Sequence, residues 1–370
     1  MAMTEYRMVR PEELLMAVRL ADATFRNDEQ ISMGKAFPHV FSSSMAHSFG
    51  AFVEGELVSF IGLVPNFIRI HESLLSVYSI GAVCTNPEHR GAGHASKLLD
   101  LVVDYADKAG ASLLLVSGDR SLYLRKQCVP FGIGRKYVLS KDADQRQPRY
   151  QIREYHSNDL LRISRLASSR AVRYVHSPWD VAQLIGGGAF SSCIDQKQHI
   201  LLAEDGRGVV AFAVIAAPTK DGQHGRAMEW AGEEEAVRQL LLTAVHRHHM
   251  NALEVPVMSY EHELNKLLST YPSEQIANSG TVKVLNAQRL LEQLQPYLMT
   301  YHSAELAAEH IGSDEMSLKW SDGEKKMSAS EFAACIFSGV QPQSMPAEFQ
   351  KQWDGAFPLP FPYTCGLNFV

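Results

Sequence analysis

The sequence predicts an α/β protein made of two similar mixed-sheet halves followed by a small third segment. Three observations support this prediction. A glycine-rich turn at 90–95 lies between an apolar run and an amphipathic helix, a similar order of strands and helices returns after residue 150, and the chain ends in an apolar, proline-rich stretch at 357–370. Apolar runs that alternate between strand and helix periodicity are typical of such α/β halves.

The first 145 residues are predicted to follow the order β–α–α–β–β–β–α–β. Helical periodicity, turn signals and β-prone runs define each element. The predicted elements are a strand at 6–9, a helix at 11–23, a mixed segment at 27–41, a hairpin at 51–53 and 57–64, a strand at 76–83, a helix through 98–106, a strand at 111–116, a short helix at 122–126 and a final strand near 137–140.

A second half is predicted at 150–283, after a polar linker at 142–149. Its predicted elements are a strand at 150–154, a helix at 156–171, a hairpin at 200–204 and 209–215, a helix at 236–248 and a strand at 253–257. The counterpart of the glycine-rich turn reads Ala231-Gly232-Glu233-Glu234-Glu235. Carboxylates at a helix start repel a phosphate, so this half is predicted to bind none.

The third segment, assigned to 284–370, is predicted to start near Val282-Lys283-Val284-Leu285 and combines a helix through Leu290 and Leu294 with a strand at 315–320 and a helix capped by 327–330. Most chain ends fray unless something holds them. The apolar, proline-stiffened end of this chain is therefore predicted to be buried.

The turn at 90–95 carries the chemistry. Its residues, Arg90-Gly91-Ala92-Gly93-His94-Ala95, match the R/Q-x-x-G-x-G/A signature of the GNAT family of N-acetyltransferases. A glycine-rich turn that enters a helix offers backbone N–H groups and a positive helix end to a pyrophosphate. Since strand, turn and helix follow one another in the required order, we expect the pyrophosphate of coenzyme A to bind here, and His94 to help cover it.

The whole chain resembles the Eis (enhanced intracellular survival) family, which combines an active GNAT fold, a degenerate one and a buried carboxy terminus. The resemblance implies tandem GNAT folds at 1–145 and 150–283, and a sterol-carrier-like domain at 284–370. It also implies a hexamer that transfers acetyl from acetyl-CoA to amines, including aminoglycosides and lysine side chains, with a tyrosine as general acid and the terminal carboxylate as base.

Carried over residue by residue, the resemblance assigns the acid to Tyr123 and the base to the carboxylate of Val370. Spacing from Phe131-Gly132 puts Cys128 where the tyrosine belongs, so both candidates for the acid stay open. The remaining expected positions contact the cofactor: Val83, Thr85, Arg90, Gly91, Ala92, Gly93, His94, Ala95, Ser96, Ser117 and Gly118.

Composition limits the class of protein. A net charge of −6 argues against a general nucleic-acid binder, and no apolar run is long enough for a membrane helix. The five cysteines are scattered and no secretory signal is visible, which predicts a reduced cytoplasmic protein without zinc. Cys84 is expected to be a packed thiol. The histidines at 246–249 are expected to form a solvated helix end, because no carboxylate partner is apparent.

The glycine turn predicts an acetyl-CoA-dependent enzyme, and the resemblance to the Eis family implies an N-acetyltransferase that acts by direct attack of a primary amine in a ternary complex. The acceptor is expected to be an aminoglycoside-like polyamine or a lysine side chain, with no membrane or nucleic-acid partner. The alternative is a non-catalytic binding protein whose third segment holds an apolar ligand.

Overall fold

The computed structural model describes residues 3–141, 149–220, 222–303, 305–311, 315–338 and 345–370. The chain forms two compact units. The first comprises Met1–Gly132, Ser279–Leu359 and Val370, and the second comprises Ile133–Asn278 and Pro360–Phe369. No helix in the described ranges combines the length and apolar character needed to cross a membrane. The predicted linker lies outside the described residues except for Arg149.

The first unit begins with the predicted order of elements. Pro11–Glu13 forms a 3₁₀ turn before the first helix. The elements are β1 (Thr4–Met8), α1 (Leu14–Phe25), α2 (Met33–Ala36), β2 (Phe49–Val53), β3 (Glu56–Ile70), β4 (Ser73–Thr85), α3 (His94–Lys108), β5 (Leu113–Val116) and α4 (Ser121–Leu124).

Strands β1 to β4 of the first unit form an antiparallel meander, and β5 is parallel to β4. The connection between β4 and β5 is α3, because parallel neighbours need a crossover. Leu98, Leu99 and Val102 recur at helical spacing and are fully buried against this sheet, which accounts for the position of α3.

The second unit repeats this strand order. Its elements are β6 (Gly134–Ser140), β7 (Gln151–Glu154), α5 (Leu160–Ser169), β8 (Val172–Tyr174), α6 (Pro178–Gly187), α7 (Ala189–Cys193), β9 (Gln196–Asp205), β10 (Gly208–Pro218), β11 (His224–Gly232), α8 (Glu234–Arg247), β12 (Ala252–Met258), α9 (His262–Leu268) and β13 (Ser273–Ile276). Strands β7, β9, β10 and β11 are antiparallel neighbours, and β12 is parallel to β11 with α8 as the crossover.

The predicted boundary at residue 145 is wrong for one strand. The expected final strand of the first half exists as β6, but it pairs with β12 and β13 in the second sheet. The place beside β5 is taken by β14 (Thr281–Val284), which was predicted to open the third segment. Both strands form where their local patterns indicate. Their partners differ because pairing depends on which sheet edge is open and not on the order along the chain.

The third segment continues with α10 (Ala287–Leu298), β15 (Ala307–His310), β16 (Glu315–Trp320), β17 (Gly323–Ser328), α11 (Ala329–Phe337) and α12 (Ala347–Gln352). The three strands form a small antiparallel sheet. This segment belongs to the first unit. The guanidinium of Arg289 donates to the backbone oxygens of Asp107 and Ala111 at 3.2 and 2.6 Å, and Leu290 and Leu294 are fully buried.

Candidate functional site

The turn before α3 is open and shaped for an anion. Gly91 and Gly93 both have φ of +81°, a conformation that suits glycine, and a Cβ on either would meet no atom within 4 Å. Gly93 is the N-cap of the 15-residue helix α3. The first N–H groups of a helix lack helical partners and carry the positive end of its dipole. The residues present therefore suit a phosphate-bearing cofactor.

The other residues of this turn differ in the exposure and contacts of their side chains. Arg90 is exposed and its Nε donates to the Thr85 oxygen at 3.3 Å. Ala92 is exposed as well, and Ala95 and Ser96 are half-buried in the first turn of α3. The exposed backbone at 91–93 is thus the surface that this turn offers to a ligand.

The side chain of His94 packs into the protein, so the expectation that it covers a phosphate is wrong. It is 7% exposed, and its Nδ1 lies 2.8 Å from the hydroxyl of Tyr6, whose ring faces the Lys97 ammonium at 4.2 Å. Burial lowers the pKa of His94, and the nearby His89 and Lys97 lower it further. His94 is neutral at pH 7, and what it offers to the turn is its backbone N–H.

A bulge in β4 exposes backbone groups next to the turn. Phe60 pairs with Cys84 and Gly62 pairs with Gly81, so β4 has one residue more than β3 across this interval. Ala82 has a φ of +52° at the bulge. Val83 therefore stands outside the regular ladder. The predicted contact Thr85 lies within the ladder instead, with its hydroxyl 2.8 Å from that of Ser59.

The chain end lies where β4 and β5 separate. Their parallel pairing ends at Ile80 and Val116, and the Ser117 hydroxyl donates to the Ile80 oxygen at 3.4 Å. The next residue of β4 is Gly81. A Cβ there would lie 2.9 Å from the Cβ of Val370 and 3.0 Å from its oxygen. The terminal carboxyl group therefore lies against the bulged strand, within the unit that carries the glycine turn.

Both candidates for the general acid follow β5 in the chain, Tyr123 within α4 and Cys128 just after it. Tyr123 is 6% exposed, its ring lies 3.4 Å from a Cβ placed on Gly118, and its backbone oxygen accepts from the N–H of Cys128 at 3.1 Å. Burial raises the pKa of Tyr123, and burial raises the pKa of the Cys128 thiol to about 11. Both groups hold their protons at pH 7, so each could donate one.

Cys84 lies beside the bulge but is not an activated nucleophile. It is 3% exposed, and burial raises the pKa of its thiol to about 12. A thiolate is the reactive form, so this residue is a packed thiol as expected.

The counterpart of the turn in the second unit is closed. Gly232 is still paired in β11, with a Cβ position only 2.5 Å from the Cα of Ala211. Glu233 alone separates β11 from α8, and it accepts hydrogen bonds from Arg207 at 2.5 Å and from the Tyr150 hydroxyl at 3.2 Å. No open loop precedes α8, which strengthens the prediction that this half binds no coenzyme A.

The second unit contains a cavity of about 50 Å³ that sequence reasoning missed. Arg170 forms ion pairs there with Glu229 and Glu261, and the indole N–H of Trp230 donates to Glu261 at 3.1 Å. Burial raises the pKa of Glu229, although Arg170 opposes this effect. Arg170 follows α5, Glu229 and Trp230 lie in β11, and Glu261 precedes α9, so no local pattern connects all of them.

The same cavity is partly filled by the last residues of the chain. Leu367 and Asn368 line it, and a Cβ on Gly366 would lie 2.5 Å from the Met228 oxygen of β11. Phe361 and Cys365 are also buried. The prediction of a buried chain end is therefore correct.

The reason for expecting no metal near residues 246–249 is wrong in one respect. His248 has a carboxylate neighbour after all, because the fold brings Glu154 and His199 to it. None of these three residues is near another in sequence. The pairing of β7 with β9 brings Glu154 close to His199, and the end of α8 adds His248.

Comparison with known proteins agrees with this geometry. Residues 5–126 match the family model described as an acetyltransferase (GNAT) domain, a span that includes the glycine turn, the bulge and Tyr123. No curated protein matches the chain. The chain carries a GNAT acetyltransferase domain and is an acyltransferase, whose fold implies an acyl-coenzyme A as donor.

Solved structures extend the likeness of fold to nearly the whole chain. A probable N-acyltransferase from Enterococcus faecalis shares 13% identity with a TM-score of 0.67, covering 89% of this chain and 86% of that one. Eis1 from Mycobacterium abscessus shares 11% identity with a TM-score of 0.62, covering 89% and 90%. A GCN5-related N-acetyltransferase from Anabaena variabilis shares 13% identity with a TM-score of 0.61, covering 88% and 85%. The protein is thus Eis-like in fold.

Proposed function

We propose that this protein is an acetyl-CoA-dependent N-acetyltransferase with one active site per chain, in its first unit. The observation that carries the proposal is the open glycine turn before α3, which lies directly after the bulge of β4 and so offers backbone groups to a phosphate and to an acyl arm. When bound, acetyl-CoA supplies the acyl group as a thioester and leaves as a thiol. Transfer is direct, from donor to a primary amine in a ternary complex.

Three sets of residues would hold the donor. The backbone N–H groups of 91–96 would bind the pyrophosphate, and the exposed guanidinium of Arg90 would add a positive charge beside it. Val83, outside the ladder at the bulge, would present its backbone to the acyl arm. Ser117 and Gly118, where β4 and β5 separate, would line the opposite side.

Tyr123 is our choice for the general acid. Its hydroxyl keeps its proton at neutral pH because burial raises its pKa, and the departing thiolate is a base that can accept this proton. Cys128 remains the alternative acid, since it is adjacent and also protonated. Substitution of each residue separately distinguishes the two.

The carboxylate of Val370 is our choice for the general base. It lies against Gly81, beside the opening between β4 and β5 where the acyl group would be held. A carboxylate there can take the proton that the amine must lose before or during attack. The same negative charge favours a cationic acceptor, which supports an aminoglycoside-like polyamine or a lysine side chain.

The Eis-like resemblance supports several further proposals. These are a hexameric assembly, a cytoplasmic location, a sterol-carrier-like fold for 284–370, and chemistry that needs no metal. Light scattering of the purified chain tests the hexamer, and full activity after treatment with a chelator tests the last point.

The test of the function is thiol release from acetyl-CoA in the presence of an aminoglycoside, a linear polyamine and a lysine peptide. We expect acetylated amine and free thiol in equal amounts with at least one of these acceptors. If calorimetry detects no binding of acetyl-CoA, the enzyme proposal fails, and the result favours the alternative of a non-catalytic binding protein. A second arm adds one glycine after Val370, and unchanged activity would exclude the terminal carboxylate as the base.

A further inference from the structure

Three potential metal ligands meet in the second unit, outside the proposed active site. Glu154 ends β7, His199 lies in β9, and His248 is the C-cap residue of α8. One possible ligand atom from each lies within 4.8 Å of the other two. The imidazole centroids of the two histidines are 4.1 Å apart.

The three side chains share one face of the second sheet. Alternate residues of a strand point to the same face, so His199 shares its face with Leu201, which belongs to the core under α8. Glu154 likewise shares its face with Ile152, which packs against that core. The end of α8 brings His248 to the same side.

One potential ligand atom of this cluster is a buried nitrogen whose hydrogen bonding is not satisfied by the described residues. The Nε2 of His248 is buried and has no hydrogen-bond partner among the described residues. Buried polar atoms are nearly always paired, so an unpaired imidazole nitrogen beside a second imidazole and a carboxylate points to a missing ligand.

We propose that Glu154, His199 and His248 form a binding site for a divalent transition-metal ion of the zinc type. Two imidazoles and one carboxylate are ligands that Zn²⁺ accepts at about 2.0–2.2 Å, with a fourth position left for water. Small rotations of the three side chains would bring their ligand atoms to that distance. Arg247 lies 3.6 Å from a Glu154 oxygen, which is longer than a close charge-assisted hydrogen bond of about 2.7–2.9 Å, so this carboxylate can turn to a metal.

The bound ion would clamp the end of α8 to the outer strands of the second sheet. Among the described residues, strand β7 lies at the end of this sheet and pairs with β9. A metal held by Glu154, His199 and His248 would fix both strands to the helix. Binding to the folded state alone would raise the melting temperature. This role is independent of acyl transfer.

The test uses the full chain without a histidine tag, stripped with a chelator and titrated with Zn²⁺ by calorimetry at pH 7.5. We expect one Zn²⁺ per chain and a higher melting temperature with the metal. Glu154→Gln and His199→Gln should each weaken binding by at least about 10–100-fold, since even outer partners of a metal site contribute that much. Tetrahedral absorption bands of bound Co²⁺ provide a second readout in the wild type.

The matched control is the double variant His246→Gln/His249→Gln, which removes two exposed histidines that flank the same helix end. It should bind Zn²⁺ as tightly as the wild type. If the wild type binds no Zn²⁺, or if Glu154→Gln and His199→Gln bind as tightly as this control, the site is overturned. Circular dichroism of each variant without metal shows whether a loss of binding comes from unfolding.

Discussion

Helices α3 and α8 begin at equivalent points of the same strand order, yet their starts are built differently. Residues 86–93 separate β4 from α3, and the glycines of this turn face open space. Only Glu233 separates β11 from α8, where Gly232 lies against Ala211 and the first turn carries Glu234 and Glu235. The first start can receive a phosphate, whereas the second satisfies its helix dipole with the protein's own carboxylates.

The surroundings of the strand that precedes each helix also differ between the two units. In the first unit the separation of β4 and β5 is bordered by Val370 at Gly81. In the second unit Gly366 lies against Met228 of β11 and the neighbouring cavity holds the paired charges of Arg170 and Glu229. The comparison teaches that two units with the same strand order can differ at the start of the crossover helix, because that start depends on a loop and a few side chains and not on the sheet.

The largest expected effect comes from the proposed acid. Tyr123→Phe should lower kcat by about 10²–10³-fold, within the range for general acids, with little change in the affinity for acetyl-CoA. The matched control is Tyr260→Phe, which removes a buried hydroxyl after β12 in the second unit and should leave kcat unchanged. Steady-state kinetics measures both variants. If Cys128→Ala lowers kcat and Tyr123→Phe does not, the cysteine is the acid.

The second-largest effect is expected from a substitution that gives the start of α3 a negative charge like that at the start of α8. Ala92→Glu places a carboxylate in the exposed turn and should raise the Kd for acetyl-CoA by about 10–100-fold, through repulsion of the phosphates. Ala92→Gln has nearly the same size without the charge and should change Kd much less. Calorimetry at two salt concentrations measures the effect, which should shrink at high salt. Equal effects of Glu and Gln would mean that shape and not charge excludes the cofactor.

A third change fills the space between β4 and the chain end. Gly81→Ala puts a Cβ into the position occupied by Val370, so we expect a loss of about 1–3 kcal/mol in the free energy of unfolding, as for other overpacked sites. Urea denaturation measures it. The control is the same substitution in a chain that ends at Phe369, where the loss should largely disappear. A loss that persists there would mean that Gly81 is needed for another reason.

The smallest effect is expected from neutralising the second helix start. Glu233→Gln/Glu234→Gln removes two carboxylates while keeping Glu235, the partner of the buried Arg238. Because no loop precedes α8, the stoichiometry of acetyl-CoA binding should remain one per chain by calorimetry. The wild-type protein is the control. A second bound acetyl-CoA would show that charge alone closes this half.

Much of the fold was predictable because its signals are local. The strand order of the first half, the helix through Leu98 and Val102 and the glycine turn follow from periodicity and turn residues within short windows. The prediction that the second half binds no coenzyme A rests likewise on a local signal, three adjacent carboxylates. The partners of β6 and β14 were not predictable, since a strand pattern indicates a face and not a neighbour.

The candidate site likewise combines features that the local sequence determines with features that depend on tertiary contacts. The sequence by itself determined the open glycine turn before α3, because glycines with positive φ and a helix start are local requirements. Only the tertiary structure decided that the ring of His94 packs against Tyr6, that Val370 lies against Gly81, and that Glu154 and His199 meet His248. Each of these contacts joins residues far apart in the chain. Such contacts depend on the packing of whole elements, which no short window of sequence contains.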